Sequence, residues 1–327
     1  MPLRDIVGHR HLLDLVGAAA NRGSLPPSLI FTGPAGIGKR AAALALAQLV
    51  NCSTPRDGDA CGVCASCTRI ARLVHADIVV VEPGDSGSIK VDQIREAVDR
   101  TGYRPFEGRK RVVIVDDADA MIGEAQNALL KTLEEPPSAS MFVLVTARPD
   151  MLLPTVRSRC QHLRFGPLRA DEVATVLVKL HGYAPAEAQA AASAAEGSVG
   201  AALEGEVETL NEARDAATRL LQSVAGTSDP RRRLDGAKAL AGSGDRDEVR
   251  RRLRALAGIL RDVGAIGARA DNRHLVNADL ASALSRLAGS FDGGRTTRAF
   301  AAVDRALEAI DRNASPKIVA DWLAFQL

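Results

Sequence analysis

The chain has 327 residues, of which 46% are hydrophobic, 25% are charged and 3% are aromatic. Its 42 basic and 40 acidic residues leave a formal net charge of +2, which excludes a strongly cationic wrapper of nucleic acid. So few aromatic rings also argue against a single-strand binder built on stacked aromatic platforms. A chain of this length buries a substantial core without disulfides or metals, and length alone favours two domains.

Short runs rich in Val, Ile, Leu and Phe alternate with helical patterns in the first half of the chain. They predict five strands, at 28–32, 78–81, 111–115, 141–146 and 162–165. Strands that alternate with helices predict a parallel sheet with helices on both faces. The sequence therefore predicts an α/β fold in its first half.

The sequence after Gly166-Pro167 is helical throughout, so an all-α part follows the α/β part. Helices are predicted over 170–181 and 185–197, a third near Val199, and five or so more from about 208 to 327. Ser315-Pro316 predicts an N-cap followed by proline at the first helical position. No segment approaches the roughly 20 uncharged apolar residues that span a bilayer, and the first residues lack the apolar centre of a signal peptide. We therefore expect a cytoplasmic protein without membrane contact.

A glycine-rich loop, Gly33-Pro-Ala-Gly-Ile-Gly-Lys-Arg40, joins the first predicted strand to an alanine-rich helix. Glycines at Gly33, Gly36 and Gly38 let the backbone curl so that its N–H groups point at phosphate oxygens, and Lys39 adds positive charge at the helix start. The motif predicts a nucleotide-binding loop, with an ordinary glycine turn as the alternative. Arg40 stands where the pattern requires Ser or Thr to hold magnesium, so ATP or ADP binding is compatible with the motif but magnesium-dependent hydrolysis is disfavoured.

Two carboxylates, Asp116 and Asp117, follow the strand predicted over 111–115. In a phosphate-loop protein Asp116 reaches the magnesium shell, and the next residue is usually a Glu that polarises the attacking water. Asp117 is one methylene shorter, a displacement of about 1 Å that can cost on the order of a hundredfold in rate. Thr146, at the end of the fourth predicted strand, stands where a polar residue could sense the terminal phosphate. Hydrated acids and a threonine at strand ends are the alternative interpretation.

Four of the five cysteines crowd into one short segment: Cys52, Cys61, Cys64 and Cys67. Four thiolates with two close CxxC steps suit a tetrahedral zinc site, which we expect to be structural because no open ligand position is evident. Reduced free cysteines or an iron–sulfur cluster are the alternatives. Cys160 stands apart and is expected to be a small buried residue.

Some weaker signals carry no assignment. His9 stands near a helix start, and His75, His162, His181 and His274 show no ligand or catalytic pattern. The arginine runs at 231–233 and 250–254 are followed or preceded by acids, which is typical of solvated helix faces, although contact with DNA phosphates is also compatible with them.

Two further motifs carry a resemblance to a known family. Asn127-Ala-Leu-Leu-Lys-Thr-Leu-Glu-Glu-Pro-Pro137, followed by Arg157-Ser-Arg-Cys160, resembles the bacterial DNA polymerase III clamp-loader subunits of the AAA+ superfamily. The resemblance runs in order from about Ile6 to Leu203. It implies an AAA+ core over 1–166 with a zinc module inserted at 52–67, a small helical lid over 167–207, and a C-terminal helical collar over 208–327.

The resemblance also implies partners and a place of action. The partners are gamma/tau and delta subunits, bound through collar and AAA+ interfaces, together with the sliding clamp. Contact with primed-template DNA is expected to be weak and shared with neighbouring subunits. The location implied is the replisome in the cytoplasm, and the cysteines are implied to hold structural zinc.

Two kinds of subunit share these motifs: the ATP-hydrolysing gamma/tau motor and its stationary delta-prime partner. This chain departs from the motor pattern at Arg40, at Asp117 and at Gly200, where the lid arginine belongs, but it keeps Arg159. That combination is similar to delta-prime and implies that Arg159 acts on the neighbouring motor's ATP, where such an arginine is worth about 10³ to 10⁵ in rate. A gamma/tau-type motor is the alternative. A stand-alone phosphate-loop transferase is a remote one, because it leaves the Ser-Arg-Cys motif unexplained.

Overall fold

The computed structural model describes residues 1–204, 207–225, 229–269 and 275–327. The chain divides into two compact units, Met1–Pro167 and Leu168–Leu327. A further division of the second unit into a lid over 167–207 and a collar over 208–327 stays a prediction. Within the described ranges, no helix combines the length and the apolar character needed to cross a bilayer.

The first unit is built on a five-stranded parallel sheet. Its strands are β1 (Ser28–Thr32), β2 (Ile78–Val81), β3 (Arg111–Val115), β4 (Ser140–Thr146) and β5 (Gln161–Arg164). They lie in the order β2-β3-β4-β1-β5, and each neighbouring pair is parallel. Every residue of β1, β3 and β4 is buried, as expected of central strands in a parallel sheet.

Helices cover both faces of this sheet. They are α1 (Arg10–Asn21), α2 (Lys39–Asn51), α3 (Ala65–Ala71), α4 (Val91–Thr101), α5 (Gly123–Glu134) and α6 (Pro154–Arg157). Successive residues of β3 enter opposite cores: Val112 and Ile114 pack on one side, and Val113 and Val115 on the other. The predicted α/β class with two covered faces is confirmed.

The predicted strand limits hold except at the last two strands. β4 begins one residue earlier than predicted, because Ser140 pairs with Arg111 although it is polar. β5 lies one residue earlier, since Gln161 pairs with Leu29 at an edge whose side chains are mostly exposed. Hydrophobicity does not mark the limits of a strand in either place.

The sheet order brings the predicted site elements to one edge. All five strands are parallel, so their carboxyl ends lie together, which is where open α/β sheets place their ligands. The glycine-rich loop follows β1, Asp116 follows β3, and Thr146 ends β4. Glu82 follows β2 and joins the same edge.

The second unit is helical throughout its described residues. Its helices are α7 (Ala170–His181), α8 (Pro185–Ala194), α9 (Val199–Glu204), α10 (Val207–Val224), α11 (Pro230–Ala241), α12 (Arg246–Gly267), α13 (Ala281–Ala288), α14 (Gly293–Asp311) and α15 (Pro316–Gln326). One apolar cluster lies within α7 to α10, and a larger one joins α10 to α15.

One detail of the helical prediction was wrong. α8 was predicted to end at Gly197 but ends at Ala194, because Glu196 and Gly197 take left-handed backbone angles, with φ of 53° and 80°, that break the helix. The predicted N-cap at Ser315, with Pro316 at the first position of α15, is confirmed, although the Ser315 side chain makes no capping hydrogen bond.

Glu196 lies in an unusual position for a carboxylate. Its Oε1 is buried and finds no hydrogen-bond partner among the described atoms. Its Oε2 faces the backbone of Gly258 in α12, where a Cβ would come within 2.5 Å. Burial raises the pKa of Glu196 to about 8, although the charges of Arg261 and Arg214 oppose that rise.

Candidate functional site

The glycine-rich loop adopts the strand–loop–helix arrangement that its sequence predicts. Gly33 follows β1 with φ of 142°, and a Cβ there would lie 2.2 Å from the Phe165 carbonyl oxygen, so only glycine fits. Gly36 and Gly38 also have positive φ, and Gly38 directly precedes α2. Lys39 is the first residue of that helix.

Lys39 bonds to the loop itself. Its side chain is buried, and Nζ donates to the carbonyl oxygens of Gly33 at 2.7 Å and Pro34 at 2.5 Å. Burial lowers the pKa of Lys39 to about 8, against the opposing charges of Asp117, Asp119 and Asp116. The ammonium group is therefore satisfied within the loop before any phosphate arrives.

Arg40 bridges two carboxylates at the carboxyl edge of the sheet. Its Nη1 donates to Asp116 Oδ2 at 3.1 Å and also forms an ion pair with Glu82. Burial raises the pKa of Asp116, and the charge of Arg40 opposes that rise. The carboxylate expected to reach a magnesium shell is thus paired with a guanidinium, which has no lone pair to offer a metal.

Asp117 and Thr146 make contacts of their own. Asp117 has a left-handed backbone, with φ of 48°, and its N–H donates to Asp116 Oδ1 at 3.2 Å. The buried hydroxyl of Thr146 donates to Asp119 Oδ1 at 2.6 Å. Arg148 Nε donates to the other oxygen of Asp119 at 2.9 Å. These contacts commit the hydroxyl proton of Thr146 to Asp119.

Arg159 lies just beyond α6 and makes contacts of its own, with Thr155 and Glu134. Its Nη1 donates to the Thr155 carbonyl oxygen at 2.8 Å, and its Nη2 forms an ion pair with Glu134, the last residue of α5. The side chain is 32% exposed, so the guanidinium is accessible to a neighbouring molecule.

The four predicted cysteines come together, and their geometry fits zinc. The Sγ atoms of Cys52, Cys61, Cys64 and Cys67 all lie within 4.8 Å of one another, with Cys52 and Cys64 at 4.0 Å. In a tetrahedral site with bonds near 2.3 Å, sulfur atoms lie about 3.8 Å apart. Cys160 is absent from the cluster and buried in the core of the first unit, where burial raises the pKa of its thiol to about 12.

Backbone donors also favour thiolates in this cluster. The N–H of Cys61 points at Cys52 Sγ and that of Cys64 at Cys61 Sγ, both at 3.3 Å. Although burial alone would raise the pKa of the Cys64 thiol, hydrogen bonds from Ser53 and Cys67 lower it. Burial raises the pKa of the Cys52 and Cys67 thiols instead, so a bound cation would be needed to hold all four sulfurs as thiolates.

Comparison with known proteins connects these features. Residues 8–169 match the family model described as "DNA polymerase III, delta subunit". The chain is 36% identical over 176 residues to DNA polymerase III subunit gamma/tau of Mycobacterium tuberculosis, covering 54% of this chain and 30% of that protein. It is 43% identical over 129 residues to subunit delta' of Pseudomonas aeruginosa, covering 39% of each. Residues 8–169, nearly all of the first unit, therefore belong to the AAA+ clamp-loader subunits of DNA polymerase III, close to gamma/tau.

The similarity is partial in length. The chain covers less than half of each of these two relatives. Among solved structures, a gamma subunit-related protein from Thermotoga maritima aligns over 95% of this chain and 97% of its own, with 18% identity and a TM-score of 0.41.

Sequence reasoning about this clamp-loader subunit missed three acidic residues. Glu82 directly follows β2 just as Asp116 follows β3, so the sheet-edge rule could have found it. Glu134 lies inside the motif that revealed the family, and Asp119 inside the acidic run, but neither position signals its partner. Their contacts arise only from the tertiary fold.

Several of the weaker signals make ordinary structural contacts. His9 Nε2 lies 3.0 Å from the Ile37 carbonyl oxygen, and His75 Nε2 lies 3.1 Å from Ser66 Oγ. In the second arginine run, Arg250 and Arg252 pair with acids of their own helix. His274 lies outside the described residues.

Proposed function

We propose that this chain is the stationary, hydrolysis-deficient subunit of the clamp loader, the role of delta-prime. In this role it donates Arg159 to the ATP site of a neighbouring motor subunit while the sliding clamp is loaded on primed DNA. The observation that carries the proposal is the position of Arg40 between Glu82 and Asp116. The replisome in the cytoplasm is the proposed place of action.

The Arg40 contacts argue against hydrolysis in the chain's own site. Phosphoryl transfer needs a metal held by a loop hydroxyl and an acidic residue. Here the loop has no hydroxyl at that position, and the acidic residue, Asp116, is already paired with Arg40. Asp117, one methylene shorter than the usual Glu, weakens water activation as well. Gly200 supplies no lid arginine. ATP or ADP remains a compatible ligand of the loop, but magnesium has no clear ligand set.

Arg159 supplies the chemistry in trans. A guanidinium placed beside a transferring phosphoryl group stabilises the charge that develops on its oxygens. Arg159 is partly exposed and lies on the short helical turn after α6, so it is accessible to a ligand held by another chain.

The last helix offers a surface for neighbouring subunits. Ile318, Trp322 and Phe325 are 69%, 37% and 48% exposed, although the opposite side of α15 is buried. Spacings of four and three residues place them on one helical face. Because a contiguous exposed apolar face marks a protein–protein contact, we propose that collar helices of gamma/tau and delta subunits cover this face.

The cysteine cluster is proposed to hold one structural zinc ion. Four sulfur ligands close the coordination shell, and bound metal would stabilise the segment between α2 and α3, which is too short for a core of its own.

The gamma/tau alternative is favoured by the long stretch of identity to those motors. The test uses a loader reconstituted with its motor and delta subunits, primed DNA and the clamp. We expect no ATP turnover by this chain alone. We expect Arg159→Ala to slow turnover at the adjacent motor site by about 10³-fold or more.

Arg157→Ala is the matched control, because it removes the same charge two residues away, from an arginine paired with Asp150. It should leave turnover unchanged. Turnover by the isolated chain would indicate the motor instead, and full turnover with Arg159→Ala would remove the trans role.

A further inference from the structure

Arg159 pairs with Glu134, the last residue of α5. We propose that Glu134 is a positioning residue, which holds the guanidinium of Arg159 in the orientation that meets the neighbouring phosphate. This inference rests on the proposed function, since it deals with how Arg159 is presented to the motor's ATP.

The backbone that carries Arg159 is already fixed. Val156 and Cys160 lie in the same buried cluster as Leu129 and Leu133 of α5. The Arg159 N–H also donates to the Val156 carbonyl oxygen at 3.2 Å. Because the main chain is anchored on both sides of Arg159, the remaining freedom lies in its long side chain.

The opposite end of α5 holds the chain that leads into α6. The buried amide of Gln126 accepts from the Leu153 N–H at 2.6 Å and donates to the Met151 carbonyl oxygen at 3.1 Å. Besides the apolar packing, α5 therefore makes polar contacts with this segment on both sides of α6, through Gln126 before it and through Glu134 after it.

Two contacts restrict the side chain of Arg159. Thr155 accepts from Nη1 and Glu134 pairs with Nη2. A guanidinium has five N–H donors, so these two contacts leave three for an anion. Ordering an arginine side chain costs conformational entropy, and a group oriented in advance loses less of it when the phosphate binds.

The placement of Glu134 supports a role beyond surface charge. It is the last residue of α5, where the partial negative charge of the helix end disfavours a carboxylate. Pairing with Arg159 offsets that repulsion. The ion pair is also partly exposed and hence weak, so it can orient Arg159 without withholding it from a phosphate.

The test measures ATP turnover at the adjacent motor site in the reconstituted loader. We expect Glu134→Gln to lower kcat about two- to fivefold, the range that a partly exposed pair can supply, with an unchanged KM for ATP. In an Arg159→Ala background Glu134→Gln should have no further effect. Glu135→Gln, which removes the same charge from the next residue, is the control and should match the wild type.

The outcomes separate the two proposals. If Arg159→Ala leaves turnover intact, the proposed function fails, and this inference with it. If Arg159→Ala slows turnover while Glu134→Gln does not, or accelerates it, only the positioning role is overturned. Thermal unfolding of the isolated variants identifies misfolding. An equal loss from Glu134→Gln with and without Arg159 would also overturn the positioning role.

Discussion

Single residues decide what the phosphate loop can do. Arg40 replaces the hydroxyl that would hold a metal, and it pairs with Glu82 and with Asp116, the carboxylate expected to reach that metal. Lys39 is likewise bonded to carbonyl oxygens of its own loop. Both cationic side chains therefore have partners within the chain.

The pairing of Arg40 predicts a stability effect. Arg40→Ala should lower the free energy of unfolding at pH 7 by about 1 kcal/mol, because it leaves Asp116 partly buried beside Glu82 and Asp117 without its cation. Since burial raises the pKa of Asp116, the loss should shrink in acid as that group protonates. Urea unfolding at pH 7 and pH 4 measures both values.

Arg95→Ala is the control for Arg40→Ala, since Arg95 forms an exposed pair with Asp92 on α4. It should cost less than Arg40→Ala at pH 7. Equal costs for the two variants would mean that Arg40 is an ordinary surface arginine.

At the scale of elements, the sequence predicted features that depend on neighbouring residues, but it did not predict contacts between residues far apart in the chain. Buried strands are visible in the sequence as unbroken apolar runs, and the glycine-rich loop is a contiguous motif. The three central strands and the strand–loop–helix arrangement were therefore predicted correctly, apart from the first residue of β4. The end of α8 was missed because alanines continue a helical pattern up to Glu196, whose backbone angle no composition reveals. The pairs Arg40–Glu82 and Glu134–Arg159 join residues far apart in sequence, so only the fold brings them together.

The cysteine segment gives a prediction at this scale. Purified protein should contain one zinc per chain, measured by elemental analysis, and Cys67→Ser should abolish it. Loss of metal should lower the melting temperature of the first unit, because metal binding contributes folding free energy. Cys160→Ser is the control and should retain the zinc, since Cys160 is absent from the cluster. Wild-type protein that contains no zinc and melts at the same temperature as Cys67→Ser would refute the site.

At the scale of the whole molecule, the net charge of +2 says little about how stability depends on pH, because that dependence comes from individual buried groups. The clearest is Glu196, whose pKa is raised to about 8 from an ordinary value of 4.5. The native state then holds a proton that the unfolded chain releases. The contribution of Glu196 to the free energy of unfolding is therefore greatest below pH 4.5. It falls by up to about 5 kcal/mol as the pH rises through 8.

Glu196→Gln should remove that dependence. We expect the variant to raise the melting temperature at pH 9 and to change it little at pH 5. Trp322 is the chain's only tryptophan and lies in the same unit, so its fluorescence reports the transition. The control is Glu187→Gln, on the exposed side of α8, which should show no such pH dependence. A variant that melts like the wild type at both pH values would show that Glu196 ionises normally.

The ion pairs of Arg40 affect how the stability of the first unit responds to the ATP concentration in the cell. The stability of many nucleotide-binding proteins rises and falls with the ATP concentration, because ligand binding to the native state adds to its free energy of unfolding. A loop whose lysine and arginine already have partners within the chain gains less from such a ligand. The stability of the first unit, and with it the presentation of Arg159, should therefore depend less on the ATP supply than in a subunit whose loop lysine and metal-binding acid lack such partners.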